Sequence, residues 1–157
     1  WSKTYAMTGW RLGYGVFPES LIDAADKLAV NVHSCVNASA QYAALEALNG
    51  PQDCVSMMNN AFKSRSQIMF EELNKLDSIF CNNPQGAFYC FPNISKLNLS
   101  SLDFQNKLLN ETGVAAIAGT SFGEFGEGYL RFSCASSENS IKRAIEKLSL
   151  FLSNLKN

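Results

Sequence analysis

The chain has 157 residues, 46% of them hydrophobic and 17% charged, with a formal net charge of −1. That is ordinary globular composition, with apolar side chain enough to fill one core and part of a second. No basic cluster gives a phosphate backbone an electrostatic footprint and no apolar run is long enough to span a bilayer, so neither a nucleic acid nor a membrane is expected as a partner.

Residues 1–17 are expected to be a loop followed by a strand, Arg11-Leu-Gly-Tyr-Gly-Val-Phe17, which is apolar, aromatic and punctuated by glycine. Pro18 and Glu19 then open a helix, with proline in the first turn and an acid at the positive end of the dipole. Leu21, Ile22, Ala25, Leu28, Ala29 and Val32 form its apolar face. A second helix is expected over Ser39 to Leu48, stopped by Asn49-Gly50. Pro51 starts a long helix whose apolar positions Val55, Met58, Phe62, Met69, Leu73 and Leu76 recur near helical spacing.

Asn82-Asn-Pro-Gln-Gly86 is a turn cluster, followed by a strand over Ala87–Phe91 that Pro92 ends. Ser101 to Glu111 has the pattern of a short amphipathic helix. Val114–Ala118 is expected as a strand, Gly119–Gly128 as a mobile glycine-rich loop, and Tyr129–Cys134 as a strand of strong β-formers. The last helix starts near Ser137, an N-cap, and buries Ile141, Ala144, Ile145, Leu148, Phe151 and Leu155. From about residue 60 the order of elements describes a compact α+β unit. The residues before it have the character of the tail of another domain, joined by the long helix.

Five cysteines, Cys35, Cys54, Cys81, Cys90 and Cys134, are scattered without a C-x-x-C pair. That pattern points to reduced thiols in a cytoplasmic protein, with no disulfide frame and no metal site. Matches to N-x-[ST] at Asn37, Asn93, Asn98 and Asn110 are chance matches in a chain rich in Asn and Ser. His33, the single histidine, follows an amphipathic helix without a marked partner and is expected to be structural. The chain opens inside a dense motif, which leads to the expectation of a piece of a longer protein.

That motif is Ser2-Lys3-Thr-Tyr-Ala-Met-Thr-Gly-Trp-Arg11-Leu-Gly-Tyr14. It resembles the cofactor-lysine signature of the class I and II (aspartate-type, fold type I) aminotransferases. Two further matches follow in the family's order. Pro84-Gln-Gly86-Ala-Phe88-Tyr89 resembles the G-x-F-Y strand of the family's small domain. Gly113-Val-Ala-Ala-Ile-Ala-Gly119-Thr-Ser-Phe122-Gly, with Tyr129-Leu-Arg131-Phe-Ser133, resembles its substrate-carboxylate segment. Where the family commonly has proline before the Gly-Thr-x-Phe run, this chain has Ala118, a change expected to loosen the loop.

The resemblance implies a fold and a set of roles. The fold would be mixed α/β and α+β: residues 1–50 the end of a large pyridoxal-phosphate-binding domain, 51–76 an interdomain helix and 77–157 a small C-terminal α+β domain. Lys3 would carry pyridoxal 5'-phosphate and shuttle the Cα proton, since a lysine amine condenses reversibly with an aldehyde cofactor. Arg11 would bind the cofactor phosphate, with Ser2 assisting; the family's usual phosphate serine falls before Trp1. Arg131 would clamp the substrate α-carboxylate with its planar fork, and Phe88, Tyr89 and Phe122 would wall the pocket.

The implied reaction moves an amino group between an L-amino acid and a 2-oxo acid, with aspartate- and glutamate-type substrates favoured, in a homodimer. The remaining cofactor ligands would lie in an N-terminal part outside these residues. Two alternatives stay open: a pyridoxal-phosphate-dependent lyase or synthase on the same fold, and a non-catalytic truncated remnant.

Overall fold

The computed structural model describes residues 1–155. The chain divides into two compact units, Trp1–Met58 and Asn59 onward, and the division falls inside one long helix.

In the first unit the opening residues form turns, closed by hydrogen bonds from the Tyr5 and Ala6 amides to the Trp1 and Lys3 carbonyls. A 3-10 turn covers Thr8–Trp10. Helix α1 spans Ile22–His33 behind a short turn at Glu19–Leu21. Helix α2 spans Ala38–Asn49, and its N-cap is Asn37, whose side chain accepts from the Ala40 amide at 3.0 Å. Asn37 is thus one of the N-x-[ST] positions put to structural use. Helix α3, Asp53–Asn74, follows Pro51 as expected.

The strand expected over Arg11–Phe17 is absent. The segment runs without regular structure, with Tyr14 and Val16 largely exposed. An isolated β-former run has no stability of its own, and no strand among the described residues pairs with this one.

In the second unit, β1 (Tyr89–Cys90), β2 (Ile117–Ala118) and β3 (Leu130–Ser133) form an antiparallel sheet in the order β1-β3-β2. The strands are shorter than the sequence suggests, because irregular pairs continue the ladder. Phe80 exchanges hydrogen bonds with Asn93, and the Cys134 amide donates to the Phe88 carbonyl at 2.8 Å. Helices α4 (Ser101–Thr112) and α5 (Glu138–Leu155) complete the unit. Ser100 caps α4 through the Asp103 amide, and Ser137 caps α5 through the Ser140 amide. Gly113, at φ +72°, closes α4 in the left-handed conformation that favours glycine.

The core is built from one face of each element. Met69 and Leu73 of α3, Phe104 and Leu108 of α4, and Ile141, Ile145, Leu148, Phe151 and Leu152 of α5 are buried. Leu130 and Phe132 enter from β3. Phe104 and Phe151 meet edge to face at 5.3 Å. Cys81, Cys90 and Cys134, far apart in the chain, converge in this core as free thiols. Hydrogen bonds to Cys134 and Cys81, together with burial, push the Cys90 thiol well above its usual range.

The Gly119–Gly128 segment, expected as a mobile loop, is folded into two 3-10 turns, Gly119–Phe122 and Glu124–Gly126. The Gly119 amide donates to the Tyr129 carbonyl at 2.8 Å, and the Tyr129 amide to the Gly126 carbonyl at 3.2 Å. Gly119 and Gly126 cross so closely that a Cβ on either would strike the backbone of the other. Ala118 does not loosen the entry to this segment. Its amide donates to Gln105 Oε1 of α4 at 2.6 Å, a bond that proline cannot make.

Candidate functional site

The candidate residues fall into two groups, one in each unit. In the first unit, Ser2, Lys3 and Arg11 belong to the opening turns. That segment is anchored from below. Met7 is buried, the Trp1 indole donates to the Ala44 carbonyl of α2 at 3.2 Å, and the Trp1 and Tyr14 rings meet edge to face at 5.2 Å. Tyr5 donates its hydroxyl to Gln52 Oε1 at 3.2 Å. Lys3 and Arg11 are exposed and Ser2 is half-buried. Arg11 has φ +52°, and its guanidinium donates to the Thr8 carbonyl at 3.1 Å. That single contact to a neutral oxygen leaves its other N–H groups and its full charge available to an anion. An exposed lysine and an arginine of this kind on one pinned segment are chemically suited to an aldehyde and a phosphate on the same cofactor.

In the second unit the site grows from strand register. Along β3, Leu130 and Phe132 point into the core, so Arg131 and Ser133 point to the opposite face. Tyr89 stands opposite Ser133 and Ile117 opposite Arg131, which puts Tyr89 and Ile117 on that same face. The Arg131 Cζ lies 4.3 Å from the centroid of the Tyr89 ring and 4.3 Å from that of Phe122.

Two aromatic residues that the sequence did not single out extend the group. Phe91 stacks on Tyr129 at 5.2 Å, with 8° between the planes, and meets Phe122 edge to face at 6.3 Å. The period-2 alternation Tyr129, Arg131, Ser133 is a signal in the sequence that would have found Tyr129. Phe88 belongs to a different environment: it packs at the edge of the core, 5.5 Å from Phe62 of α3 and 4.5 Å from the Tyr89 ring. The structure thus brings Arg131, Tyr89 and Phe122 together and gives Phe88 a bracing position behind Tyr89.

Among the described residues, no group of His, Cys, Asp and Glu side chains is arranged to hold a metal ion. No described helix is long and apolar enough to cross a membrane.

The family described as aminotransferase class I and II matches residues 1–148. The chain belongs to that family. It is 40% identical to an aspartate aminotransferase of Sulfolobus acidocaldarius over 98% of this chain and 40% of that protein. It is 39% identical to an asparagine–oxo-acid transaminase of Streptococcus mutans over 96% of this chain and 39% of that protein. The crystal structure of an aromatic aminotransferase from Pyrococcus horikoshii superposes with a TM-score of 0.95 at 35% identity, covering 99% of this chain and 42% of that one. The chain spans about two fifths of the length of the curated relatives it matches.

Proposed function

We propose that this chain supplies the cofactor lysine and the substrate-carboxylate arginine of a pyridoxal-phosphate-dependent aminotransferase. Residues 1–50 are the end of its large domain, 51–76 the joining helix and 77–157 the small domain. The observation that carries the reading is Arg131. Its guanidinium lies over two aromatic rings, Tyr89 and Phe122, and among the described residues no carboxylate pairs with it. A cation held in this way, with its N–H edge uncommitted, suits a planar anion such as a carboxylate.

Lys3 Nζ anchors the cofactor and moves the proton of the substrate Cα. Arg11, aided by Ser2, binds the cofactor phosphate. When bound, pyridoxal phosphate supplies an electron sink for the pair released at Cα. Arg131 fixes the α-carboxylate and thereby the orientation of the Cα–H bond. Tyr89 and Phe122 flank that carboxylate site, and Phe88 supports Tyr89. The amino donors and acceptors are an L-amino acid and a 2-oxo acid. Aspartate- and glutamate-type substrates are favoured because relatives at 40% and 42% identity are named aspartate aminotransferases. The working enzyme is a homodimer, and five free cysteines suit a reducing, cytoplasmic setting.

Two substitutions in the full-length enzyme test the reading. Lys3→Ala removes the visible absorption band of lysine-bound cofactor; a band that survives the change overturns the assignment. Arg131→Lys replaces a two-pronged contact with a point charge. It should lower kcat/KM for amino acids by about 10- to 100-fold with cofactor still bound, the loss expected for removing one charge-assisted bidentate contact. Unchanged amino-acid kinetics would make Arg131 a structural strand residue.

A further inference from the structure

The rings beside Arg131 are placed to hold the arginine itself. A guanidinium is a flat cation with two faces and an N–H edge. Tyr89 and Phe122 both lie against it, each with its centroid 4.3 Å from Cζ. That distance is well inside the range over which a ring quadrupole attracts a cation. Rotation of the guanidinium out of this slot would break both contacts at once.

The two rings are supported differently. Tyr89 sits on β1, paired to β3 at Ser133, and its ring lies 4.5 Å from Phe88 at the edge of the core. It is the fixed side. Phe122 ends the Gly119–Phe122 turn, and the residue is 52% exposed. Its place is set by its edge contact with Phe91, by the stack of Phe91 on Tyr129, and by the bond from the Ala118 amide to Gln105 that fixes the start of the turn.

We infer that Tyr89 and Phe122 are positioning residues: a two-ring clamp that keeps the Arg131 guanidinium in one plane with its N–H edge presented to the incoming carboxylate. The inference rests on the reading of Arg131 as the carboxylate receptor. The clamp acts through the π faces of the rings, so side chains of similar bulk without such a face do not replace them. Its effect is on orientation. A free arginine side chain samples many rotamers, and a fork that must be found anew for each substrate binds more weakly and holds Cα–H less well in line.

The test is a substitution series in the full-length enzyme with cofactor bound. Kinetics are measured with an amino-acid substrate. Binding is measured by spectral titration with succinate, a carboxylate that cannot transaminate. Tyr89→Leu and Phe122→Leu should each raise the succinate dissociation constant and lower kcat/KM by about 3- to 10-fold, the range expected for one cation–π contact. Tyr89→Phe and Phe122→Tyr, which keep the ring, should each lose less succinate affinity and kcat/KM than the leucine variant at the same position. In an Arg131→Met background, Phe122→Leu should cost nothing further, since the group it positions is gone.

Leucine variants that match the unaltered enzyme, while Arg131→Met is impaired, would overturn the clamp and leave the role of Arg131 standing. An unimpaired Arg131→Met would overturn the carboxylate reading and the clamp with it. An equal loss from Phe122→Leu with and without Arg131 would show that the ring acts on stability or on the substrate directly, and would also overturn the inference. If Tyr89→Leu fails to fold, Phe122→Leu decides, because Phe122 is an exposed residue outside the core.

Discussion

Ser101 shows how much a single side chain decides in this fold. It is the buried polar residue of the described core, with no accessible surface. Its Oγ accepts from the Gly128 amide at 2.8 Å and donates to Glu127 Oε1 at 3.3 Å, while its own amide donates to the same Glu127 oxygen at 2.8 Å. One hydroxyl thus ties the start of α4 to the end of the glycine-rich segment. Ser101→Ala would strand the buried Gly128 N–H. We expect a loss of about 1–3 kcal/mol of unfolding free energy, the cost of leaving a buried donor unpaired, measured by urea denaturation. A change under about 0.5 kcal/mol would mean that water or a neighbouring group replaces the hydroxyl there. Nothing in the local sequence around Ser101 marks it as buried, because its partners are residues of a distant loop.

At the scale of elements, two helices with similar apolar periodicity met different outcomes. The face read for α5 is the buried one: Ile141, Ile145, Leu148 and Phe151 lie in the core, with Ala144 and Leu155 packed against it. The face read for α1 is just as regular, yet Leu28 and Val32 are 65% and 68% exposed. Periodicity states which side of a helix is apolar; it does not state what lies opposite. The strand expected over Arg11–Phe17 failed for the same reason, since a strand exists only when another pairs with it. The step from α4 to β2 gives a prediction at this scale. Gln105→Ala removes the acceptor of the Ala118 amide and should destabilise the second unit by about 0.5–1.5 kcal/mol, the net worth of one hydrogen bond. In an Ala118→Pro background, where the donor is already gone, the same change should cost almost nothing. A thermal-melt double-mutant cycle reads the difference, and additive costs would rule out the bond as the cause.

At the scale of the molecule, the chain holds two compact units with unequal interiors. The second carries the large buried cluster, whereas the first buries Met7, Ala40 and Ala44. Amide hydrogen exchange on the 157-residue chain should follow that division. Protection should be greatest in β3 and α5 and lowest over Arg11–Phe17, whose amides donate no backbone hydrogen bond among the described residues. Slow exchange over Arg11–Phe17 would reveal pairing with a strand of another copy.

The sequence by itself determined the family, through the run from Lys3 to Tyr14 and the segment around Arg131, and it determined the helices, the Ser137 cap and the buried face of α5. Those features are local: a motif, a cap or a helical period is written in residues that are neighbours in the chain. Only the tertiary structure decided that Tyr89 and Phe122 lie against Arg131, that Phe91 and Tyr129 join them, and that three scattered cysteines meet in one core. Each of these depends on strand register and loop path, and a slip of one residue in β3 would turn Arg131 into the core and Phe132 out of it.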